Sequence, residues 1–508
     1  MSEAQANQFS EETGPSKSEL KKRAKEAEKE KKKAERLAKE AEEQKARAAN
    51  EVDVSSGKYG PLPLNQSKER SGRKRISITS LSPNQEGETV LFRARVNTSR
   101  AQGSKMVFLN LRQRTESVQA LVVVTPEKIS KQMVKWVGGL ADESIILVEG
   151  SVQLPKEEVK SATVGNVEIL ISQIHLEAAP QIRLPFSIED ASRPESELDK
   201  EDTQFTRVLL DTRLDNRIID LRTQTNQAVF KLQSAVTDLF ASFLRSEGFT
   251  EIHSPKLQGA ATESGASVFK VGYFKGDAFL AQSPQLHKQM CIAADFERVF
   301  EIGPVFRAED SNTHRHLTEF IGLDLEMAFQ EHYHEVMDLI DGMLKSIFKG
   351  LTENYSREIA AVGKQFPADP FKWREETLKL TFKEAVDLLV EDGVERETLD
   401  DINTTNEKRL GRIIRDKYDT DYFIIDKFPM ALRPFYTMPD PEDPTLSNSY
   451  DFFMRGEEIL SGAQRIHEPN LLIEKMQEKG IDPASMQAYV DAFRLGCPPH
   501  AGGGIDMC

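Results

Sequence analysis

Two runs near the middle of the chain, residues 299–307 and 319–329, restrict its folding most. Each reads as a strand, and together they read as a hairpin whose loop spans 308–318. Successive side chains of a strand point to opposite faces. In the second run Ile321, Leu323, Leu325 and Met327 share one face, which is a core face. Phe320, Gly322, Asp324 and Glu326 share the other. An ordinary exposed hairpin also carries charges, but a flat ring, a residue without a side chain and two acids in succession suit a ligand floor better. The glycine permits close approach, the ring can stack on a planar group and the acids can hold an ammonium. In the first run Arg307 shares a face with Glu301 and Gly303. An arginine at a strand end can fork onto a phosphate.

The 508 residues are enough for roughly two to four domains. A net charge of −15 argues against a protein that merely coats nucleic acid, though not against one that reads a particular RNA through local basic patches. Three cysteines, Cys291, Cys497 and Cys508, give no pairing framework and point to a reducing compartment. No apolar run is long enough to span a bilayer. The N-terminus lacks an apolar signal core and is rich in acids, so neither secretion nor mitochondrial import is expected. The sequence reads as a cytoplasmic protein with no membrane partner.

Charge and pattern divide the chain. Lys17 to Lys33 holds nine basic residues and four acids, a balance of +5. The segment to Asn50 is rich in helix formers but has no apolar stripe. It reads as a solvated helix or disordered tail, or more sharply as a basic arm holding RNA phosphates. Residues 55–75, with Gly, Pro and Ser, read as a linker. From Glu88 strand patterning begins: Val90, Phe92, Ala94 and Val96 alternate with polar residues. Further β-rich runs follow at 106–111, 117–124, 144–152 and 166–175, with a helical stretch at 128–137. Five strands with a helix between the third and fourth is the plan of an OB-fold, although SH3-like barrels also have five strands. Pro180, Pro185, Pro194 and the acidic residues 195–202 read as a hinge. Val229, Leu232, Val236, Leu239, Phe240, Phe243 and Leu244 then recur at helical spacing, with Gly248 as a C-cap. The rest reads as one α+β domain. The divisions are 1–75 (arm and linker), 76–180 (barrel), 181–210 (hinge) and 211–508 (α+β domain).

The residues of the hairpin carry a resemblance. GPVFRAE at 303–309, SNTHRH at 311–316 and TEF at 318–320 closely resemble motif 2 of the class II aminoacyl-tRNA synthetases, in particular the aspartyl group of the eukaryotic cytosol. QSPQ at 282–285, RPFYTMPDP at 433–441 and RGEEILSGAQRIH at 455–467 extend the match, which runs from about Thr89 to Ile505. The resemblance implies an OB-fold anticodon-binding barrel followed by a catalytic domain, an antiparallel sheet flanked by helices. It implies that L-aspartate is activated with ATP and Mg²⁺ to an adenylate and transferred to tRNA(Asp). By it, Arg307 would be the catalytic residue, gripping the α-phosphate and the aspartyl carbonyl. His316 and Leu317 would lie beside the nucleotide, with His316 near the outer phosphates. Phe320 would stack under adenine and Glu309 would contact its amino group. Asp451, Glu458 and Ser461 would hold Mg²⁺ on the phosphates.

Aspartate and asparagine are nearly isosteric, so charge must separate them. The resemblance implies that Lys288 and Arg465 bracket the side-chain carboxylate, supported by Ser283, Gln285 and Ser461. Bound asparagine would leave buried cations unpaired, at a cost of roughly several kcal/mol. Asparaginyl relatives typically carry an acid where Lys288 stands; without the motif Lys288 would read as a surface lysine. Asp324 and Glu326 would meet the substrate ammonium, and Glu263, in the loop 259–268, would close over it. Ser264 in that loop departs from the usual glycine, a change that stiffens a lid. Phe108, Gln119 and Glu168 match anticodon-contacting positions, and Lys21 and Lys22 lie in an arm that resembles an RNA-binding appendix. Residues 225–257 resemble motif 1, which implies a homodimer. The family also implies contacts with other synthetases or translation factors.

One departure concerns the end of the sequence. Relatives continue from PPHAGGGI into a glycine, an acidic turn, an arginine that binds the γ-phosphate end of ATP, and a closing helix. Here Asp506, Met507 and Cys508 follow Ile505. The expectation is a weakened ATP clamp, a partly bare sheet and impaired activity. Two other readings stay open: an asparaginyl or relaxed-specificity ligase, and a non-catalytic derivative that binds tRNA or protein. His314 with His316, and His332 with His334 and Glu335, lack zinc-ligand spacing with a third partner, and Asp310 with Asn312 makes no calcium loop.

Overall fold

The computed structural model describes residues 53–259, 268–309 and 317–507. It divides into two compact units, Met1–Pro185 and Phe186–Cys508. In the first, six strands are β1 (Tyr59–Pro61), β2 (Thr89–Gln102), β3 (Met106–Gln113), β4 (Glu116–Val123), β5 (Ile145–Gln153) and β6 (Val164–Ala178). They pair in the order β1-β6-β4-β3-β2-β5, and β5 also pairs with β6. The sheet therefore closes on itself, leaving no edge among the five long strands.

Alternation in the sequence drives this closure. Val90, Phe92, Ala94 and Val96 of β2 all point into the barrel, with Val107, Leu109 and Leu111 of β3 and Val118, Ala120 and Val122 of β4. The helix Lys131–Gly138 plugs one end with Met133, Val134 and Val137, and Ser130 Oγ caps it by accepting from the Met133 amide. At Gly150 β5 and β6 come so close that a Cβ would lie 2.6 Å from the Leu170 carbonyl oxygen, so no larger residue fits.

The linker expectation for 55–75 needs correction at its start. β1 adds a parallel strand to β6, with Tyr59 opposite Ile174. Ser55 is fully buried, its Oγ accepting from the Ser130 amide at 2.8 Å. The Tyr59 ring packs 5.5 Å from that of Trp136, and its hydroxyl donates to Asp53. Ser55 and Lys58, two of the polar residues that suggested a linker, bond to the barrel through the Lys128 carbonyl. The hinge expectation for 181–210 also changes. Residues from Phe186 onward belong to the second unit, where Arg193 pairs with Glu189, Asp190 and Glu197 and lies over the Phe205 ring. The acids there neutralise a local arginine rather than repel one another into a hinge.

The second unit holds β7 (Thr250–Glu251), β8 (Leu257–Gln258), β9 (Lys270–Tyr273), β10 (Gly276–Leu280), β11 (Arg298–Phe306), β12 (Glu319–Ala328), β13 (Leu378–Thr381), β14 (Tyr422–Asp426), β15 (Ser449–Met454), β16 (Glu457–Gln464) and β17 (His500–Met507). β8, β10 and β9 form a small sheet. The large one runs β13-β14-β15-β16-β17-β12-β11-β7, antiparallel except at its two outer pairs. β17 is interior, bonded to β12 on one side and β16 on the other.

One face of this sheet is the main core. Leu323, Leu325 and Met327 pack there with Phe240 and Leu244 of the helix Gln224–Ser246 and with Ile340 and Leu344 of the helix His334–Asn354. Gly248 ends the first helix at φ +82°, as expected. Of its predicted apolar stripe, Phe240 and Leu244 are buried; Val229, Leu232, Val236, Leu239 and Phe243 are only half-buried. No described helix is long and apolar enough to cross a membrane.

The packing of β1 is open to test. The Ile174 amide donates to the Lys58 carbonyl, beside Tyr59. Tyr59→Ala removes the ring contact and the hydroxyl bond that hold this strand, and we expect amide exchange at Ile174 to quicken by roughly tenfold. Unchanged exchange, followed by mass spectrometry of peptides covering β6, would show that β1 adds nothing to the barrel.

Candidate active site

The site occupies the face of the large sheet opposite the main core. β11 and β12 pair in the register Glu301–Asp324, Gly303–Gly322 and Val305–Phe320. β17 pairs with β12 so that Asp506, Gly504 and Gly502 stand opposite Gly322, Asp324 and Glu326. The two facing acids need the space that those glycines leave. A Cβ on Gly504 would lie 2.9 Å from Asp324 Oδ1, and one on Gly502 would run into the Leu325 carbonyl and Glu326 Oε2.

Four charges lock together in the floor. Glu326 is fully buried and accepts from Arg465 Nε at 2.9 Å and Nη2 at 3.2 Å. Lys288 Nζ donates to Asp324 Oδ1 at 2.9 Å and to the carbonyls of Leu325 and Gly503, with Glu326 Oε2 at 3.6 Å. Burial alone would push the Glu326 carboxyl up; the Arg465 and Lys288 charges overcome that and hold it below the usual range. Arg465 stays charged for the reciprocal reason: burial opposes its charge, and Glu326 more than compensates. The guanidinium also lies 5.5 Å over the Tyr436 ring. His500, buried beside this group, has its imidazole pushed down to about 4 by burial, against the pull of Glu326, and is neutral.

Above this layer lies a cavity of about 270 Å³, lined among others by Ser283, Gln285, Arg307, Asp324, Arg433, Glu458, Ser461, Arg465 and Asp506. Arg307 sits with its guanidinium 4.9 Å over the Phe320 ring and 3.3 Å from Asp506 Oδ2. Arg433 donates to Ser461 Oγ at 2.9 Å and to Asp451 Oδ2 at 2.8 Å. Gln285 Oε1 accepts from Arg465 at 3.2 Å, while its buried Nε2 has no partner among the described residues. That free donor suits a ligand oxygen.

Most of the expected residues thus converge, with changes of role. Lys288 is no surface lysine; it is 1% exposed. It donates to Asp324 and does not line the cavity, whereas Arg465 does. Glu326 is spent on Arg465, which leaves Asp324 as the acid that reaches the cavity. Glu309 and Leu317 border the hairpin loop, partly or wholly exposed. Glu263, Ser264, His316, Lys21 and Lys22 lie outside the described residues. Sequence reasoning missed Arg433, although it stands first in the matched run RPFYTMPDP, and it missed His500 and the contact made by Asp506.

Could the donor set hold a divalent ion? Asp451 Oδ1 is buried without a partner among the described residues, the Glu458 carboxylate lines the cavity, and Ser461 Oγ accepts only from Arg433 in the bonds seen. Hard oxygens of this kind fit Mg²⁺. His334 instead pairs with Asp426, and Glu335 caps the amides of Gln330, Glu331 and His332.

The barrel carries its own groove, about 360 Å³, lined by Arg100, Phe108, Asn110, Gln119 and Ser161 among others. Phe108 alternates with buried Val107 and Leu109, so its half-buried ring faces outward and is not core. Asn110, Gln119 and Glu168 are neighbours across three strands, and Gln119 Nε2 donates to Glu168 at 3.1 Å. A ring beside a row of amide and carboxylate groups can stack one base and read the edge of another.

A family model described as tRNA synthetases class II (D, K and N) matches residues 210–507, and one described as an OB-fold nucleic acid binding domain matches 90–177. The chain belongs to the class II tRNA synthetases of that D, K and N group. Its relatives there are aspartate–tRNA ligases: the cytoplasmic aspartate–tRNA ligase of Homo sapiens is 54% identical over 455 residues, 90% of this chain and 90% of the relative. The crystal structure of a putative aspartyl-tRNA synthetase from Leishmania major Friedlin superposes with a TM-score of 0.82 at 40% identity, covering 89% of this chain and 93% of that one. Asparaginyl-tRNA synthetase from Pyrococcus horikoshii, solved with asparaginyl-adenylate, is more distant: TM-score 0.73 at 28% identity, over 85% of this chain and 93% of that one.

Two predictions follow from the charge layer. Glu326→Gln strands Arg465 in the interior and is expected to cost about 3 kcal/mol in urea unfolding at neutral pH. In an Arg465→Met background the cost should fall, since the stranded charge is gone; equal costs in both backgrounds would show that the two residues are uncoupled. Burial lowers the His500 pKa from the ordinary imidazole value of 6.5 to about 4, so between those limits the unfolded chain binds more protons and stability rises with pH. Its contribution is complete above pH 6.5, and about 2 kcal/mol of it is lost on acidifying from pH 6.5 to 4.5. His500→Asn should lose that part of the slope, and an unaltered slope would mean that the ring is hydrated.

Proposed function

We propose that the chain is an aspartate–tRNA ligase of the cytoplasm, which joins L-aspartate to tRNA(Asp) at the expense of ATP. The observation that carries this reading is the cavity above β12. It offers Arg307 over an aromatic ring at one end and Asp324 with Arg465 at the other. A nucleotide needs the first pair: Phe320 as a plane for adenine and Arg307 as a fork for the α-phosphate. An amino acid with an anionic side chain needs the second: Asp324 for its ammonium and Arg465 for its side-chain carboxylate, with Gln285 Nε2 as a further donor. By the family resemblance Glu309 and His316 would serve the nucleotide and Glu263 would close over the amino acid.

The chemistry then needs positioning more than proton transfer. A carboxylate oxygen of aspartate attacks the α-phosphorus in line, the bond to pyrophosphate breaks, and aspartyl-adenylate forms. A hydroxyl of the tRNA end next attacks the aspartyl carbonyl, and AMP leaves. Arg307 neutralises charge that grows on the α-phosphate in the first step and stays in contact with the mixed anhydride in the second. No side chain is assigned as a general base. Asp451, Glu458 and Ser461 would hold Mg²⁺, which supplies neutralising charge to the phosphates.

Aspartate is favoured over asparagine because Arg465 lines the cavity and offers its charge to a side-chain carboxylate, which a neutral amide answers less well. The barrel groove at Phe108, Gln119 and Glu168 would read the anticodon, and Lys21 and Lys22 would hold RNA phosphates. Phe230, 54% exposed on the helix Gln224–Ser246, supports a homodimer built on that helix.

Purified protein is expected to catalyse ATP–pyrophosphate exchange that depends on L-aspartate and is at least about a hundredfold slower with L-asparagine. Arg307→Ala should lower kcat/KM for exchange by about a hundredfold or more. Equal rates with the two amino acids would point to a relaxed-specificity ligase. Binding of tRNA without any exchange would point to a non-catalytic derivative.

A further inference from the structure

The cavity contains three arginines, and each faces an acid. Arg465 pairs with Glu326 and Arg433 with Asp451, in side chains at most about a tenth exposed. Arg307 pairs with Asp506, and there the side chains are 35% and 48% exposed. A buried pair is shielded from solvent ions and costs much to open; an exposed one is worth little and exchanges readily. Arg307 is therefore the arginine whose acid can be displaced by an incoming anion.

The backbone explains how the acid comes to be there. Gly303 on β11, Gly322 on β12 and Asp506 on β17 stand side by side across three paired strands. The two glycines leave the floor open, and the third member of the row projects a carboxylate over it. Asp506 and Arg307 line the same cavity. The lining side chains with formal charge are then Arg307, Arg433 and Arg465 against Asp324, Glu458 and Asp506, so Asp506 removes what would otherwise be a positive excess at the nucleotide end.

We propose that Asp506 acts as an internal stand-in for a nucleotide phosphate: its carboxylate occupies Arg307 and must be displaced when ATP binds, so this residue sets the affinity for ATP. The inference rests on the reading of Arg307 as the phosphate-gripping residue. Asp506 takes no part in bond making. It lowers the affinity of the free site while keeping the Arg307 guanidinium extended toward the place where the phosphate arrives.

The test is equilibrium binding of ATP with Mg²⁺ to the full chain, by titration calorimetry, for wild type, Asp506→Asn and Asp506→Gly. Thermal melts check that the variants are folded, and the two substitutions differ in bulk, so a defect in one leaves the other informative. Both are expected to bind ATP roughly fivefold more tightly than wild type, with the gain shrinking as salt is raised. In an Arg307→Ala background Asp506→Asn should give no gain. Equal or weaker binding in both single variants would overturn the proposal. So would a full gain in the Arg307→Ala background, since Asp506 would then act through general repulsion and not by occupying Arg307. If Arg307→Ala binds ATP as well as wild type does, or if no form binds ATP, the functional reading of Arg307 fails and the proposal fails with it.

Discussion

The buried contact between Glu326 and Arg465 is the constraint on which the rest of the site depends. Two opposite charges have been taken out of water on β12 and at the end of β16, which flank β17 in one sheet, and neither tolerates loss of the other. Their geometry fixes much around them. The Gly502–Gly504 run must be free of side chains where it passes the acids, and Lys288 must come up from the helix Gln285–Ala293 to balance the second one, Asp324. Tyr436 lies beside the guanidinium, and burial keeps His500 neutral against the pull of Glu326. A sheet face that would otherwise be an ordinary half-buried surface becomes a rigid electrostatic plate.

Such a plate does little chemistry itself, and that is consistent with its use. Adenylate formation asks for phosphate charge to be met by groups already in place, because reorganising them during the reaction would consume the advantage. Charges held by full burial cannot reorganise. They are also hard for a ligand to recruit, and Lys288 and Glu326 do not line the cavity that Asp324 and Arg465 line. Depth separates residues that shape the site from residues that meet what enters it.

Much of this was legible from sequence because strand parity is rigid. The alternation in 319–329 separates Leu323 and Leu325 from Asp324 and Glu326, and the same period of two marks the barrel strands. Depth was not legible. Parity says which face a side chain takes but not how far the facing elements cover it, and only the packing of β16 and the helix Gln285–Ala293 shows that Lys288 is inaccessible. Composition failed at 53–62 and 186–205 for a related reason. Polar and charged residues look the same whether their partners are water or, as with Ser55 and Arg193, other parts of the fold. Arg433 went unassigned because its role depends on Asp451 and Ser461, which lie far from it in sequence and come together only through the pairing of β15 with β16.

The same distinction between depths orders the three arginines of the cavity. An ion pair's resistance to exchange grows as water is removed from it, since the competing interactions available to each partner fall away faster than their mutual attraction does. Arg465 and Arg433, closed in by Glu326 and Asp451, therefore keep those partners whatever enters the cavity. Arg307 stands at the end of β11, where the strand leaves the sheet and solvent reaches it, and its bond to Asp506 is weak enough to be traded for a phosphate. A single sheet face thus carries fixed charge at one end and exchangeable charge at the other. The exchangeable end is where a polyanionic substrate must enter and its polyanionic product must leave.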